Sequence, residues 1–465
     1  MNNNDRPLFP PLAASPYAPR NGTERTIAMR DHGAIFESAF YHDVSLLAQR
    51  IQQANCRRGC LVEQDPYHLL VGLIALLASQ ATPILPPHSA PVFLEQLQDD
   101  FDYLISKDTT LSGNHLPPCS SHQEWPAITR DTPLHGTVVL YTSGSTGTAK
   151  RVERQWAQLT AEIQVLHHTW PECAGAPDTF SMVPPYHLFG LTFAVLWPFL
   201  TGRPLHTPIY PFWEELLRQP LGRAVIISSP AQLACTEALP PIPENEKPHR
   251  LFVAGAPLLP HAVGHCQQLL GVLPDEIFGS TETGAVATRR WQSSNRVPAW
   301  HPLPGLRVRA DAEQSLQLLS PYLSTQWITM DDQIHLLEDG SFTLLGRRDR
   351  VIKVNGHRVS LQEVEHTLLQ LDELQQAKPV ALQGKHGVVL AVVAVPSAEG
   401  WAFIQQNGSF RFTRHIRQRL QRSLPPAAHP KRWRFVHHLP HNALGKITTH
   451  ELNQLFFEHA DDCDR

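Results

Sequence analysis

Tyr141-Thr142-Ser143-Gly144-Ser145-Thr146-Gly147-Thr148-Ala149-Lys150 alternates small hydroxyl residues with glycines and closes on a lysine. The apolar run Thr137-Val138-Val139-Leu140 before it reads as a β-strand, and a helix is expected to begin near Gln155. Glycines permit positive φ and close backbone approach, so successive N–H groups can point into one concavity. Thr142, Ser143, Ser145 and Thr146 add hydroxyl donors, and Lys150 adds a mobile positive charge. The stretch therefore reads as a phosphate-holding turn. It is not a Walker A loop, in which Gly-Lys-Ser/Thr follows a longer gap. A flexible Ser/Gly linker would need neither the preceding buried strand nor the terminal lysine.

Working outward, the chain has 465 residues, enough for two or three structural units. Apolar residues make up 42% and charged residues 18%, a globular balance. A formal charge of −4 argues against bulk nucleic-acid binding. The 41 prolines imply a loop-rich α/β protein more than a helical bundle. The seven cysteines are scattered, and only Cys56 and Cys60 are close, so free thiols in a reducing compartment are expected. The first thirty residues are polar and proline-rich, without the apolar core of a signal peptide. The greasy segment Leu69 to Ala78 is too short to span a bilayer and reads as a buried helix. A cytoplasmic protein that binds neither membrane nor nucleic acid is the expectation.

Strand and helix patterns alternate from about residue 42 onward. The spacing Val44-Leu47-Ile51 is helical, 59–62 reads as a strand, 66–78 as a helix and 82–85 as a strand. Further strands are expected at 180–183, 224–227 and 250–253. Such alternation implies a parallel sheet covered by helices. From Leu303 short strands and turns dominate, as in a small β subdomain. The polar, glycine-bounded run Gly346-Arg347-Arg348-Asp349-Arg350 suits a hinge between domains. Beyond it a helix is expected at 361–371, a strand at 387–395 and a helix at 413–424. The fold class is thus α/β: an N-terminal tail 1–40, a large domain 41–347 with its β subdomain, and a small mobile α+β domain 348–465.

Three further segments offer chemistry. In Val183-Pro184-Pro185-Tyr186-His187-Leu188-Phe189-Gly190 two prolines end a strand and present an aromatic loop with one histidine. Ala254-Gly255-Ala256-Pro257-Leu258 follows a strand with residues small enough for a flat ring to lie against backbone. In Phe278-Gly279-Ser280-Thr281-Glu282-Thr283-Gly284, Phe278 offers a stacking face, Thr281 a hydroxyl and Glu282 a hard oxygen for Mg²⁺.

In this order, these segments resemble the signatures of the adenylate-forming superfamily: acyl- and aryl-CoA synthetases, peptide-synthetase adenylation domains and luciferases. The resemblance extends from about residue 40 to residue 457. The hinge stretch through Val351-Ile352-Lys353-Val354-Asn355-Gly356-His357-Arg358 matches closely, and Leu439-Pro440-His441-Asn442-Ala443-Leu444-Gly445-Lys446 resembles the closing motif. Two departures stand out. Phe278 replaces the usual tyrosine, and Trp327-Ile328-Thr329-Met330-Asp331-Asp332 occupies the place of Thr-Gly-Asp. A third is minor: Thr448 or Thr449 stands where an arginine is usual after Gly-Lys.

The resemblance implies an ATP-dependent acid–thiol ligase with ATP and Mg²⁺ as cofactors. Residues Thr142 to Gly147 and Lys150 would hold phosphates; Gly255, Ala256, Pro257, Phe278, Gly279 and Thr281 would hold the adenine side. Asp332, with Asp331 as the alternate, and Arg347 would hold ribose; Glu282 and Thr142 would hold the metal. His187 would lie between the phosphate loop and the acyl pocket. Lys446 would bridge carboxylate and α-phosphate, Asp349 would be the pivot, and Lys353 would face the site during thioester formation.

Amino-acid-activating relatives tend to carry an acidic residue near the His187 motif. Its absence here points to an acid without an α-amino group, aryl or medium acyl, with Phe189, Phe193 and Trp197 as an apolar hint. The thiol acceptor is coenzyme A or the phosphopantetheine of an acyl carrier protein. Arg411, Arg414, Arg417, Arg419 and Arg422 with Lys431, Arg432 and Arg434 would suit an acidic carrier or simply be solvated. The short N-terminal part is similar to the small ligases of aryl-polyene or fatty-acyl carrier systems. The competing readings are a stand-alone amino-acid adenylating domain and a nucleotide-binding homologue without turnover.

Overall fold

The computed structural model describes residues 24–456, apart from residues 112, 119–125, 144–148, 176–177, 237–238, 257, 295, 355–356, 385–386, 422, 425 and 441–446. Two sheets form the large part. A five-stranded sheet runs in the order Tyr103–Ile105, Arg58–Leu61, Thr82–Leu85, Thr137–Ser143, Ala149–Gln155. Its neighbours are parallel until the last pair, which is antiparallel. In a six-stranded sheet the parallel set Thr179–Ser181, Val225–Ser228, Arg250–Ala254, Asp275–Ser280 continues into antiparallel Gly284–Arg290 and His301–Pro302.

The helix Pro66–Ala78 shows why the sequence was readable here. Asp65 caps it, accepting from Tyr67 N at 2.8 Å and His68 N at 3.1 Å, and Pro66 fits the first turn. Leu69, Leu70, Leu73, Ile74, Leu76 and Leu77 are all buried, so the helix is apolar all round and lies inside the core. No described helix is long and apolar enough to cross a membrane.

After this layer comes a four-stranded antiparallel sheet, Arg307–Ala310, Ser315–Leu319, Ile328–Leu336, Phe342–Arg347. The chain then turns through Arg348–Arg350 and enters new sheets: the pair Val351–Val354 with His357–Ser360, and a three-stranded sheet Leu374–Gly384, Gly387–Pro396, Arg432–Phe435. A separate apolar cluster including Val364, Leu368, Val392, Phe412, Ile416 and Leu420 supports this part.

Several expectations need correction. The stretch taken as an N-terminal tail holds two strands, Thr26–Arg30 and Gly33–Phe36, in a sheet with Leu205–His206. The helix expected from near Gln155 begins at Trp156, because the chain first returns as the strand Ala149–Gln155 opposite Thr137–Ser143. The glycine-rich segment 144–148 between these two strands lies outside the described residues. The C-terminal helix spans Ser409–Leu420, not 413–424, since Phe412, Ile416 and Leu420 form its buried stripe. Ser360 caps the helix Leu361–Leu368, accepting from Glu363 N at 3.2 Å. Thr448 is the cap of the helix Thr449–Gln454, in a reciprocal box with Glu451. Among the described residues Cys56, Cys60, Cys173, Cys235 and Cys266 are free thiols.

Candidate active site

The four parallel strands of the six-stranded sheet end at one cavity of about 490 Å³. Met182 and Val183, Ser229 and Pro230, Ala254 to Ala256, and Gly279 to Thr281 line it, each group at or just past a strand's carboxyl end. Open α/β sheets bind ligands in that position because the loops leaving successive strands diverge there. Ser229 and Gln232 form a capping box on the short helix Pro230–Leu233, and Gln232 Nε2 also donates to Met182 O at 2.6 Å. Two of the cavity loops are thereby tied together.

The apolar wall comes from Tyr186, His187, Leu188, Phe189 and Phe193. The strand Thr179–Ser181 ends three residues before Pro184 rather than at it, and His187 O accepts from Leu191 N at 2.7 Å to start the next helical segment. Gly190 allows this turn to close, since a Cβ there would lie 2.1 Å from Pro184 O. His187 is half-buried with its ring 4.9 Å from Tyr186. Of the aromatic residues read as pocket candidates, Phe189 and Phe193 line the cavity. Trp197 does not. It is fully buried against Phe252 and Trp170, with ring centroids 5.6 Å and 6.0 Å away.

The other predicted residues fall in several places. Gly255, Ala256, Gly279 and Thr281 line the cavity with His187. Phe278 points away from it, half-buried against Trp300 at 5.5 Å and Phe342 at 5.9 Å. Glu282 follows Thr281 and pairs with Lys150, Nζ to Oε1 at 2.5 Å. Burial alone would raise the Glu282 carboxyl; the hydrogen bond from Lys150 offsets this and holds it below its ordinary value. Asp332 and Asp331 both face Arg347, at 3.5 Å and 3.7 Å, and Asp331 also meets Arg348 at 3.4 Å. Asp332 sits directly opposite Arg347 in the antiparallel register and is buried, while Asp331 is exposed. Thr142 and Ser143 end the strand Thr137–Ser143, Asp349 lies in the turn Arg348–Arg350, and Lys353 lies in the strand Val351–Val354. Gly144, Ser145, Thr146, Gly147, Pro257 and Lys446 lie outside the described residues.

Sequence reading missed a carboxylate in the cavity wall. Glu162, on the helix Trp156–Thr169, lines the cavity and pairs with Arg154, Nη2 to Oε2 at 3.1 Å. Both side chains are only 1% exposed. Burial raises the Glu162 carboxyl, while Arg154 and the Ala285 amide pull it back. Within a helix pattern such a residue looks like a solvated polar position. No signal in the sequence marked it, because the strand that carries Arg154 beneath this helix comes only from its pairing with Thr137–Ser143.

Glu282 offers carboxylate oxygens, the hard ligand type that a divalent cation takes. Its carboxylate already accepts a cationic partner in Lys150, and oxygen ligands are what Mg²⁺ requires.

The AMP-binding enzyme family profile matches residues 75–318. The chain is 28% identical over 316 residues to a 4-coumarate–CoA ligase of Rhodobacter capsulatus, covering 66% of this chain and 74% of that one. It is 25% identical over 433 residues to a D-alanine–D-alanyl carrier protein ligase of Staphylococcus haemolyticus, covering 82% and 86%. The fold is that of the o-succinylbenzoate coenzyme A synthetase of Bacillus subtilis solved with ATP and magnesium, with a TM-score of 0.72 at 17% identity over 92% and 96% of the two chains. The profile spans more than half of the chain, and the chain belongs to the AMP-binding enzyme family of adenylate-forming ligases.

Proposed function

We propose that this ligase activates an aryl or medium-length carboxylic acid lacking an α-amino group, and passes it to a phosphopantetheine thiol. The observation that carries this reading is the cavity itself. An apolar wall of Leu188, Phe189 and Phe193 faces the backbone edges of Gly255, Ala256 and Gly279, so an apolar acyl group and a nucleotide can lie side by side. The carboxylate that reaches the cavity, Glu162, is already neutralised by Arg154 and is not available as a counter-ion for a substrate ammonium.

A carboxylate oxygen of the acid attacks the α-phosphorus of ATP; the bond to the β-phosphate oxygen breaks and pyrophosphate leaves. The thiol sulfur then attacks the acyl carbon of the adenylate, AMP departs with the bridging oxygen, and the thiol proton goes to solvent. Two anions must meet in the first half, so charge neutralisation is the main task. Lys150 and Lys446 would supply it from this chain, and the acid needs no general base because it is ionised at neutral pH. Mg²⁺, when bound on Glu282 and Thr142, would neutralise phosphate charge. Residues from 348 onward would act as the mobile cap, pivoting at Asp349 to exchange Lys446 for Lys353 and the thiol. Ribose would be held by Asp332 and Arg347.

Coenzyme A and a carrier protein both fit the acceptor role. Arg411, Arg414 and Arg417 stand exposed on the helix Ser409–Leu420 beside Phe410, a basic face suited to an acidic carrier, whereas Arg419 is tied to Glu373 at 2.9 Å.

The test is pyrophosphate release with ATP and Mg²⁺ across aryl, hydroxyaryl, fatty and amino acids, with Lys446→Ala alongside. Release with aryl or medium acyl acids, lost in the variant, is expected. Release with amino acids alone, or with no acid, overturns the proposal.

A further inference from the structure

The strand Ala149–Gln155 presents Lys150, Val152 and Arg154 on one face, as the two-residue period of a strand requires. Lys150 and Arg154 reach neighbouring residues of one turn. Lys150 Nζ bonds Glu282 Oε1 at 2.5 Å, and Arg154 Nη1 donates to Thr281 O at 3.2 Å. Arg154 Nη2 bonds Glu162 Oε2 at 3.1 Å, and the other oxygen, Oε1, accepts from Ala285 N at 3.0 Å. The ion pair thus holds both ends of the segment that presents Glu282, one by a carbonyl and one by an amide.

Three more contacts close this frame. Tyr322 Oη donates to Ala285 O at 2.7 Å. Inside the turn, Ser280 N donates to Thr283 Oγ1 at 3.1 Å, and Thr283 Oγ1 donates to Gly284 O at 3.1 Å. Gly284 has φ +71°, and a Cβ there would lie 2.3 Å from Glu162 Oε2, so the turn rests directly on the carboxylate. A fully buried ion pair contributes little to stability, because desolvation of both ions roughly offsets their attraction. What this pair supplies is geometry at Thr281 and Ala285, the two flanks of Glu282.

We infer that Arg154 and Glu162 are positioning residues for Glu282, holding the 281–285 turn so that its carboxylate is presented for the divalent cation that accompanies ATP. The inference rests on the assignment of Glu282 under the proposed function. Groups that orient a metal ligand from behind alter metal affinity by about 10- to 100-fold when removed.

The experiment compares wild type, the double variant Arg154→Met/Glu162→Leu, and Glu162→Gln. The double variant removes both charges and both backbone contacts at similar volume, so it is expected to fold; Glu162→Gln keeps an acceptor for Ala285 N. Three quantities are read: the Mg²⁺ concentration for half-maximal calorimetric ATP binding, amide exchange across residues 280–286, and the KM for the carboxylic acid. In the double variant the Mg²⁺ half-saturation is expected to rise about tenfold or more, with faster exchange at the turn. Glu162→Gln is expected to show a smaller rise in the same direction. Mg²⁺ dependence and exchange equal to wild type in whichever variant folds overturn the inference. So does a change confined to acid KM. Absence of Mg²⁺-dependent pyrophosphate release in wild type would instead count against the proposed function.

Discussion

Lys150 Nζ lies 2.5 Å from Glu282 Oε1 across 132 residues of chain, joining the phosphate-type loop to the carboxylate expected to hold the metal. Both side chains are well exposed, 62% and 42%, so the pair is worth about 0–1 kcal/mol and a divalent cation can displace the ammonium. Lys150→Ala is therefore expected to lower the Mg²⁺ needed for half-maximal pyrophosphate release. The same variant should raise the KM for ATP about tenfold through loss of a charged hydrogen bond to phosphate. A Mg²⁺ titration at several ATP concentrations checks both, and an increased Mg²⁺ requirement would refute the displacement idea.

Two adjacent carboxylates compete for the ribose. Asp332 is buried and paired in register with Arg347, whereas Asp331 is exposed between Arg347 and Arg348. Asp332→Asn is expected to raise the KM for ATP by about 10- to 100-fold, the range for a hydrogen bond to a charged group. Asp331→Asn should change it by less than about threefold. The reverse order would reassign the role.

Phe189 and Trp197 separate substrate selection from core packing. Phe189→Ala opens the cavity wall and is expected to shift preference toward bulkier acids in the pyrophosphate assay. Trp197→Ala should cost about 3–5 kcal/mol of stability by denaturant titration and leave acid preference unchanged. A changed preference in the tryptophan variant would place it in the site after all.

Glu63 makes stability depend on pH. Burial pushes its carboxyl up to about 7, against the opposing hydrogen bond from the Lys107 amide. The folded protein holds this proton more tightly than the unfolded chain. Its contribution is therefore full below the ordinary glutamate range, near pH 4.5, and is lost as pH rises towards about 7. Thermal unfolding of Glu63→Gln between pH 4.5 and 8 should show a flatter Tm profile than wild type. An identical profile would assign the dependence to other groups.

Local physics made much of this protein legible. The strand at 82–85 and the helix at 66–78 match the observed elements because a cap, a proline and an apolar run leave no alternative there. The strands at 250–253 and 387–395 extend one residue further than read. His187, Gly255 and Thr281 also came from contiguous motifs, whose backbone geometry needs only neighbours in the chain.

Nonlocal pairing was not legible. Nothing short-range told that 149–155 would fold back as a strand before the helix; that follows from its ladder with Thr137–Ser143 and from the burial of Val152 and Arg154. The argument from a missing acidic residue near His187 was sound along the sequence, yet Glu162 reaches the same cavity from another element. By itself the sequence determined the order of motifs and the parallel-sheet core. Only the tertiary structure decided that Trp197 belongs to the core, and that Arg154 and Glu162 meet behind Glu282, because burial and ion pairing depend on segments that are distant in the chain and adjacent in space.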